Sequence, residues 1–205
     1  MTSDHVPPDT TNEVNCPDRR GFLRAGVAAG LALTLPPAAF AEEDKPGSDE
    51  RPQPGDVLVF AEDAHAGQPV KPADLSPGGP LVPVWAMDPA TKVVRDGSRL
   101  NSVVLVRLDP QSLDEDTRSA SADGIVAYSA ICTHAGCPIT GFLEEQGQRV
   151  LKCFCHNSVY DPRQQGTVLS GPAPRRLAVL PVRIADGVLA VAAKFNGKVG
   201  PTQSG

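Results

Sequence analysis

The sequence has few aromatic residues and no long segment with a helical apolar period. Phe, Trp and Tyr together make up 4% of the 205 residues. A helical bundle needs apolar residues that recur every three to four positions, and no long segment provides them. The 21 prolines and 19 glycines instead predict frequent turns and short strands. The length suits one domain with a modest core.

Two further features are missing, and each excludes a class of function. The formal net charge is −5, and no basic stripe runs along the chain, so nucleic acid is not an expected partner. No nucleophile with a neighbouring base can be recognised, and no substrate pocket can be read from the motifs. We therefore expect a chain that is not catalytic alone.

The first 41 residues have the charge order of an export signal. Arg19–Arg20 precedes the apolar pair Phe22–Leu23, and the uncharged stretch from Ala25 ends in Ala39–Phe40–Ala41, a small-x-small cleavage pattern. The segment resembles a twin-arginine (Tat) signal, the route for proteins exported with their cofactors already bound. We predict export by Tat, with the protein in the periplasm or at the periplasmic face of the inner membrane.

The same segment, residues 1–41, has a second interpretation as an uncleaved N-terminal membrane anchor. A span needs about 20 apolar residues. This run is shorter, and Pro36–Pro37 interrupts it, so we favour cleavage after Ala41. Residues 42–56 are rich in charge, Pro and Gly, which predicts a linker, and residues 198–205 are predicted to be a tail.

Residues 57–197 are predicted to be the folded domain, and its pattern is that of an all-β protein. Short apolar segments rich in β-branched residues recur between turn residues, which is typical of antiparallel sheets in a sandwich or barrel. The polar stretch from Pro110 to Ala122 is predicted to hold one short helix or to be a loop. The predicted strands are 57–60, 81–85, 103–108, 125–128, 149–152, 167–169, 179–184 and 188–192.

Two short segments concentrate the residues that bind metals. The first is Cys132–Thr133–His134–Ala135–Gly136–Cys137, and the second is Cys153–Phe154–Cys155–His156–Asn157–Ser158. Each begins with a Cys and offers a His two or three positions later, so two adjacent loops can direct four ligands at one centre. A mixed sulfur and nitrogen set suits structural zinc or an iron–sulfur cluster. Each segment also holds a second cysteine, and in an exported protein such a pair can form a disulfide.

These segments resemble the two cluster-binding boxes of Rieske iron–sulfur proteins. The extra cysteine pair is similar to that of the high-potential group, which includes the quinol–cytochrome c reductase type and the small subunit of arsenite-oxidase-type enzymes. Gly171–Pro172–Ala173–Pro174 resembles the proline loop that covers the cluster in this family. Phe154 and Asn157 depart from the family, which often has Pro and Gly at these positions.

The resemblance implies a set of roles and a fold. Cys132 and Cys153 would bind one iron of a single [2Fe–2S] cluster, and His134 and His156 the other. It also implies a Cys137–Cys155 disulfide. Ser158 and Tyr160 match family positions whose hydroxyls donate hydrogen bonds to cluster sulfurs. The expected fold is an antiparallel sandwich of Rieske type with a small cluster-binding subdomain.

Three functions remain open from the sequence. The first is one-electron transfer as the iron–sulfur subunit of a respiratory, quinol–cytochrome c reductase-like complex. Its partners would be a larger cytochrome b or c1-like subunit, with quinol or a cytochrome as electron partner. The second is the small electron-transfer subunit of a periplasmic molybdenum oxidoreductase of the arsenite-oxidase kind. The third is a zinc-stapled binding module without redox activity.

Overall fold

Ten short strands form two antiparallel sheets within residues 45–202, the part of the chain that this computed structural model describes. Six strands form the large sheet, in the order β4-β3-β2-β1-β10-β9, and four form the small sheet, in the order β5-β6-β7-β8. The strands are β1 (Val57–Phe60), β2 (Val82–Met87), β3 (Val103–Arg107), β4 (Ile125–Ser129), β5 (Gly141–Glu145), β6 (Gln148–Cys153), β7 (Ser158–Asp161), β8 (Thr167–Ser170), β9 (Val182–Ala185) and β10 (Val188–Val191). The predicted all-β antiparallel fold is confirmed.

Helical structure in the described residues is limited to one turn of α-helix and four 3-10 turns. The α-helix, α1 (Glu115–Ser119), lies in the polar stretch where a short helix or a loop was expected. The Asp114 carboxylate caps it by accepting a hydrogen bond from the Thr117 N–H at 2.7 Å. The 3-10 turns are Asp63–His65, Pro72–Asp74, Arg99–Asn101 and Pro110–Ser112. None of the helices in residues 45–202 is long and apolar enough to cross a membrane.

Strand β3 is buried on both faces, and this divides the interior into two cores. Its residues alternate in direction, as strand geometry requires. Val103 and Leu105 join one core, which is built mainly by the large sheet. Val104 and Val106 join a second core together with side chains of the small sheet. The unbroken apolar segment of β3 is thus explained by contacts on both sides.

In chain order, the small sheet lies between two strands of the large sheet, β4 and β9. The chain leaves β4, forms β5 to β8, and returns at Leu177. Residues 178–180 then pair with β4, since Ser129 N–H donates to Ala178 O and Leu180 N–H donates to Ala127 O, both at 2.9 Å. The insertion is therefore held at both ends by the large sheet.

The sequence pattern located most strands but missed two of them. No strand was predicted over β5 (Gly141–Glu145) or β7 (Ser158–Asp161). Strand β5 pairs with β6 through a tight turn at Gln146 and Gly147, whose φ angles are 51° and 77°. Strand β7 is four residues long and fully buried. Their strand conformation comes from pairing with β6 rather than from a local alternation of apolar and polar residues.

The described part of the predicted linker, residues 45–56, has no helix or strand but is anchored to the large sheet. Arg95 and Asp56 are 5% and 3% exposed and form a two-pronged ion pair, at 2.6 and 3.1 Å. Glu50 accepts a third bond from the Arg95 guanidinium at 2.8 Å. The hydrogen bond to Asp56 raises the pKa of Arg95 despite its burial. Residues 47–56 are therefore fastened to the domain.

Candidate metal centre

The first ligand loop, residues 130–140, connects β4 to β5 and holds Cys132 and His134. The Cys132 N–H donates to Cys137 O at 2.8 Å, and the Gly136 N–H donates back to Cys132 O at 3.0 Å. Gly136 has a φ of 76°, a conformation that glycine adopts without strain. These bonds close the loop into a tight turn, which holds the Cys132 side chain at the end of the second core.

The second ligand loop, residues 154–157, connects β6 to β7 and holds His156. Cys153 is the last residue of β6 and lies opposite Ser158 in the sheet. Asn157 has a φ of 58°, so this departure from glycine keeps the left-handed conformation. The loop thus turns within four residues and brings His156 close to His134.

A disulfide between Cys137 and Cys155 joins the two ligand loops, as the resemblance implies. Their Cα atoms are 6.5 Å apart, within the range of ordinary disulfides. The sulfur atoms of Cys137, Cys153 and Cys155 all lie within 4.8 Å of one another. This trio is not a metal site, because two of its sulfurs are bonded to each other and offer no thiolate.

The four predicted ligands meet at one place but differ in exposure. Cys132 and Cys153 are both free thiols and are each 1% exposed. The rings of His134 and His156 have centroids 4.7 Å apart and are nearly perpendicular, at 86°. His134 is half-buried, whereas His156 is exposed. The site therefore has a sulfur side within the protein and an imidazole side at the surface.

Both predicted hydrogen-bond donors lie at this site and are fully buried. The Tyr160 hydroxyl is 3.1 Å from Cys132 Sγ and also accepts from the Thr133 N–H at 3.3 Å. The Ser158 hydroxyl oxygen is buried and has no hydrogen-bond partner among the described residues. Tyr160 thus already contacts a ligand sulfur, and Ser158 retains an unused hydroxyl.

The environment favours ionisation of one of the two thiols. Burial raises the pKa of Cys132, but several hydrogen bonds, of which those from the Tyr160 hydroxyl and the His134 N–H are the strongest, together outweigh it, so the pKa is lowered. Burial raises the pKa of Cys153, and the neighbouring Cys132 adds to this. A thiolate at Cys132 is a ready metal ligand, because only the deprotonated form binds iron.

The residues present fit a [2Fe–2S] cluster that is held by two cysteine sulfurs and two histidine nitrogens. Two buried thiols and two imidazoles converge, as the ligand set requires. Nδ1 of His134 is buried and has no hydrogen-bond partner among residues 45–202, so its lone pair is free for a metal. The buried Ser158 hydroxyl also has no partner among these residues. Two buried polar atoms without partners are costly, and a bound cluster would remove that cost.

Two contacts that support the site were not foreseen from the sequence. Thr133 Oγ1 donates to Arg175 O at 2.7 Å, and Arg99 Nη1 donates to Gly136 O at 2.7 Å. Arg99 and Arg175 are distant in sequence from the ligand motifs, and no local pattern marks them. Gly171, in the segment that resembles the proline loop, has a φ of 87°, and a Cβ there would lie 2.6 Å from Asn157 O, so this segment packs against the second ligand loop.

Comparison with known proteins gives a consistent family. The Rieske [2Fe-2S] domain family matches residues 73–181. A cytochrome bc1 complex Rieske iron-sulfur subunit from Streptomyces lividans is 40% identical over 102 residues, covering 49% of this chain and 59% of that protein. A putative respiratory nitrate reductase subunit Rieske from Haloferax mediterranei is 43% identical over 79 residues, covering 38% of this chain and 34% of that protein. The chain thus spans little more than half of one relative and a third of the other.

Among solved structures, the soluble domain of the Rieske protein II (soxF) from Sulfolobus acidocaldarius resembles this chain with a TM-score of 0.37 and 20% identity. That match covers 49% of this chain and 68% of the other. The family match, by contrast, extends over more than half of the chain and includes both ligand loops. This chain belongs to the Rieske [2Fe-2S] domain family, and its cofactor is a [2Fe–2S] cluster.

Proposed function

We propose that the chain transfers single electrons as the iron–sulfur subunit of a respiratory complex of the quinol–cytochrome c reductase type. The observation that carries the proposal is the two-sided site, with buried thiols at Cys132 and Cys153 and imidazoles at His134 and His156 toward the surface. Relatives named as cytochrome bc1 Rieske subunits support this choice of complex.

The four ligands suit a carrier of moderate to high potential. When bound, the cluster accepts and releases one electron. Two neutral imidazoles in place of two thiolates make the centre less negative, which moves such potentials from about −400 mV to about −150 to +300 mV. A hydrogen bond from Tyr160 to Cys132 stabilises the more negative reduced state. The exposed His156 provides the short route by which an electron reaches a docked partner.

The ligand assignment is tested by iron and sulfide analysis with the electron paramagnetic resonance (EPR) spectrum of the reduced protein. We expect two irons and two sulfides per chain, and loss of the EPR signal in His156→Ala and Cys132→Ser. His65→Ala is the matched control, because His65 is exposed and lies outside the site. A protein that holds only zinc and gives no EPR signal would instead be the zinc-stapled module.

The partner complex is tested by co-purification from native membranes. A cytochrome b or c1-like subunit, seen by its haem spectrum, is the expected companion. The Haloferax relative, named as a nitrate reductase subunit, supports a second candidate complex. Molybdenum in the purified complex without haem of this kind would favour the small subunit of a molybdenum oxidoreductase of the arsenite-oxidase type.

We further propose that the protein works outside the cytoplasm, in the periplasm or at the periplasmic face of the inner membrane. The support is the Arg19–Arg20 pair and the uncharged stretch that follows it. Replacement of both arginines by lysine should leave the protein in the cytoplasmic fraction. Release of the unaltered protein without detergent indicates cleavage, whereas retention in membranes indicates an anchor.

A further inference from the structure

A groove on the surface is formed by three separate segments of the chain, residues 50–53, 99–100 and 194–201. Its volume is about 710 Å³, which is room for several side chains rather than for one small ion. We call it the basic groove. Its charged lining residues are four cations and one carboxylate, Arg51, Arg99, Lys194, Lys198 and Glu50.

The cations of the basic groove have no carboxylate partner among residues 45–202. The one lining carboxylate, Glu50, is 2.8 Å from the Arg95 guanidinium and is used there. Arg51 donates to Leu100 O at 2.6 Å and Arg99 to Gly136 O at 2.7 Å, so both bind neutral carbonyls. Three arginines outside the groove pair with carboxylates, in Arg95–Asp56, Arg107–Asp123 and Arg163–Asp161, whereas others, such as Arg118, bind backbone carbonyls. The groove differs from both groups because it brings together on one surface four cations without a carboxylate partner in the described part of the chain. The groove is therefore a site of uncompensated positive charge.

This charge is opposite in sign to that of the chain as a whole. The formal net charge of −5 comes mostly from residues 1–44, whereas residues 45–202 hold 16 Lys and Arg against 17 Asp and Glu. Against this nearly balanced background, the cations of the basic groove attract an acidic partner locally. Apolar side chains also line the groove, including Leu100, Phe195 and Val199. Cations beside apolar contacts suit an acidic polypeptide segment better than a free inorganic anion.

The basic groove is contiguous with the first ligand loop. Arg99 lines the groove and also holds Gly136, which lies between Cys132 and Cys137. Pro201, another lining residue, is near the same glycine, since a Cβ on Gly136 would lie 3.3 Å from the Pro201 ring. A chain that binds in the groove is thereby held beside the metal centre.

We propose that the basic groove docks an acidic segment of the protein that exchanges electrons with this chain. The inference rests on the proposed electron-transfer function and adds the charge of the partner and the place where it binds. Ionic contacts with Arg51 and Lys198 orient the partner, and the link from Arg99 to Gly136 sets its position next to the first ligand loop.

Fluorescence anisotropy of a labelled ten-residue peptide of alternating Glu and Leu, added to the cluster-loaded full chain, tests the proposal. We expect binding that weakens as salt is raised, and little binding of the matched Gln–Leu peptide. The double variant Arg51→Gln/Lys198→Gln should bind about three- to tenfold more weakly, as the loss of two exposed ion pairs implies. Lys92→Gln/Arg183→Gln removes the same charge outside the groove and should change the affinity less than twofold.

Three results overturn the proposal: equal binding of the two peptides, equal weakening by both double variants, or binding that appears only after Glu42, Glu43 and Asp44 are neutralised. The third result would show that the acidic residues before Lys45 occupy the groove themselves. The EPR spectrum of each variant is recorded in parallel. If the unaltered chain gives a normal EPR signal but does not bind the peptide, only the docking role of the groove is rejected. If the unaltered chain gives no EPR signal, the proposed electron-transfer function is rejected.

Discussion

The two sheets of this protein are stabilised in different ways. In the large sheet, all five residues of β4 are buried, and the core is almost entirely aliphatic. In the small sheet, three of the four residues of β8 are exposed. Phe154, in the second ligand loop, and Leu169, in β8, are 56% and 50% exposed. The large sheet is thus held by packing, whereas the small sheet buries less and relies on cross-links.

The cross-links of the small sheet are concentrated where it borders the ligand loops. The Cys137–Cys155 disulfide joins the loops to each other, and Thr133 joins the first loop to Arg175. The bound cluster adds four further attachments under the ligand assignment proposed above. Under the proposed function His156 stays exposed for a partner and cannot also be buried, so covalent and metal bonds would replace packing there.

The largest effect is expected from a cavity in the large sheet. Leu105→Ala removes a fully buried side chain from β3 and should lower the free energy of unfolding by about 2–5 kcal/mol. Leu169→Ala is the same substitution at an exposed position in the small sheet. It should change the free energy of unfolding by less than about 0.5 kcal/mol. Urea denaturation followed by circular dichroism measures both. Similar losses in the two variants would contradict the contrast between the sheets.

An intermediate effect is expected from removal of the disulfide. Cys137 and Cys155 are 18 positions apart, and a cross-link of this length contributes about 3 kcal/mol by restricting the unfolded loop. In Cys137→Ser/Cys155→Ser the visible absorption of the cluster should be lost at lower denaturant than in the unaltered protein. Hydrogen exchange in β3 should stay slow after the cluster is lost. Simultaneous loss of both signals would mean that the two sheets unfold as one.

The smallest effect is expected from removal of a single hydroxyl at the site, and the measured quantity is the midpoint potential of the cluster. Tyr160→Phe removes the contact with Cys132 Sγ and should lower the midpoint potential, because the reduced cluster loses a hydrogen bond. A loss of about 1.4 kcal/mol corresponds to about 59 mV for one electron.

The control for this variant is the other tyrosine of the chain. Tyr128 is equally buried, but its hydroxyl donates to Pro162 O at 2.8 Å. Tyr128→Phe should therefore cost about 1 kcal/mol of stability and leave the potential unchanged. Ser158→Ala, which removes a buried hydroxyl without a partner among the described residues, should lower the potential like Tyr160→Phe. The midpoint potential of each variant is measured by redox titration monitored by EPR. Equal potentials in all three variants would show that Tyr160 and Ser158 do not tune the cluster through hydrogen bonds.

The sequence by itself determined the chemistry of this protein and the class of its fold. The spacing of Cys132, His134, Cys153 and His156 is local information, because each Cys–His pair lies within three or four consecutive residues. The short β-branched segments likewise predicted antiparallel strands, because side-chain alternation is a property of the strand itself. The signal prediction over residues 1–41 is also a local pattern, and it lies outside the described residues.

Only the tertiary structure decided how these parts are assembled. The insertion of the small sheet between β4 and β9, the strand conformation of β5 and β7, and the anchoring of residues 47–56 all depend on partners far away in the chain. Arg99 reaches Gly136 across 37 positions, and Thr133 reaches Arg175 across 42. Pairing over such distances is set by the packing of the whole domain, so it leaves no mark in a local sequence pattern.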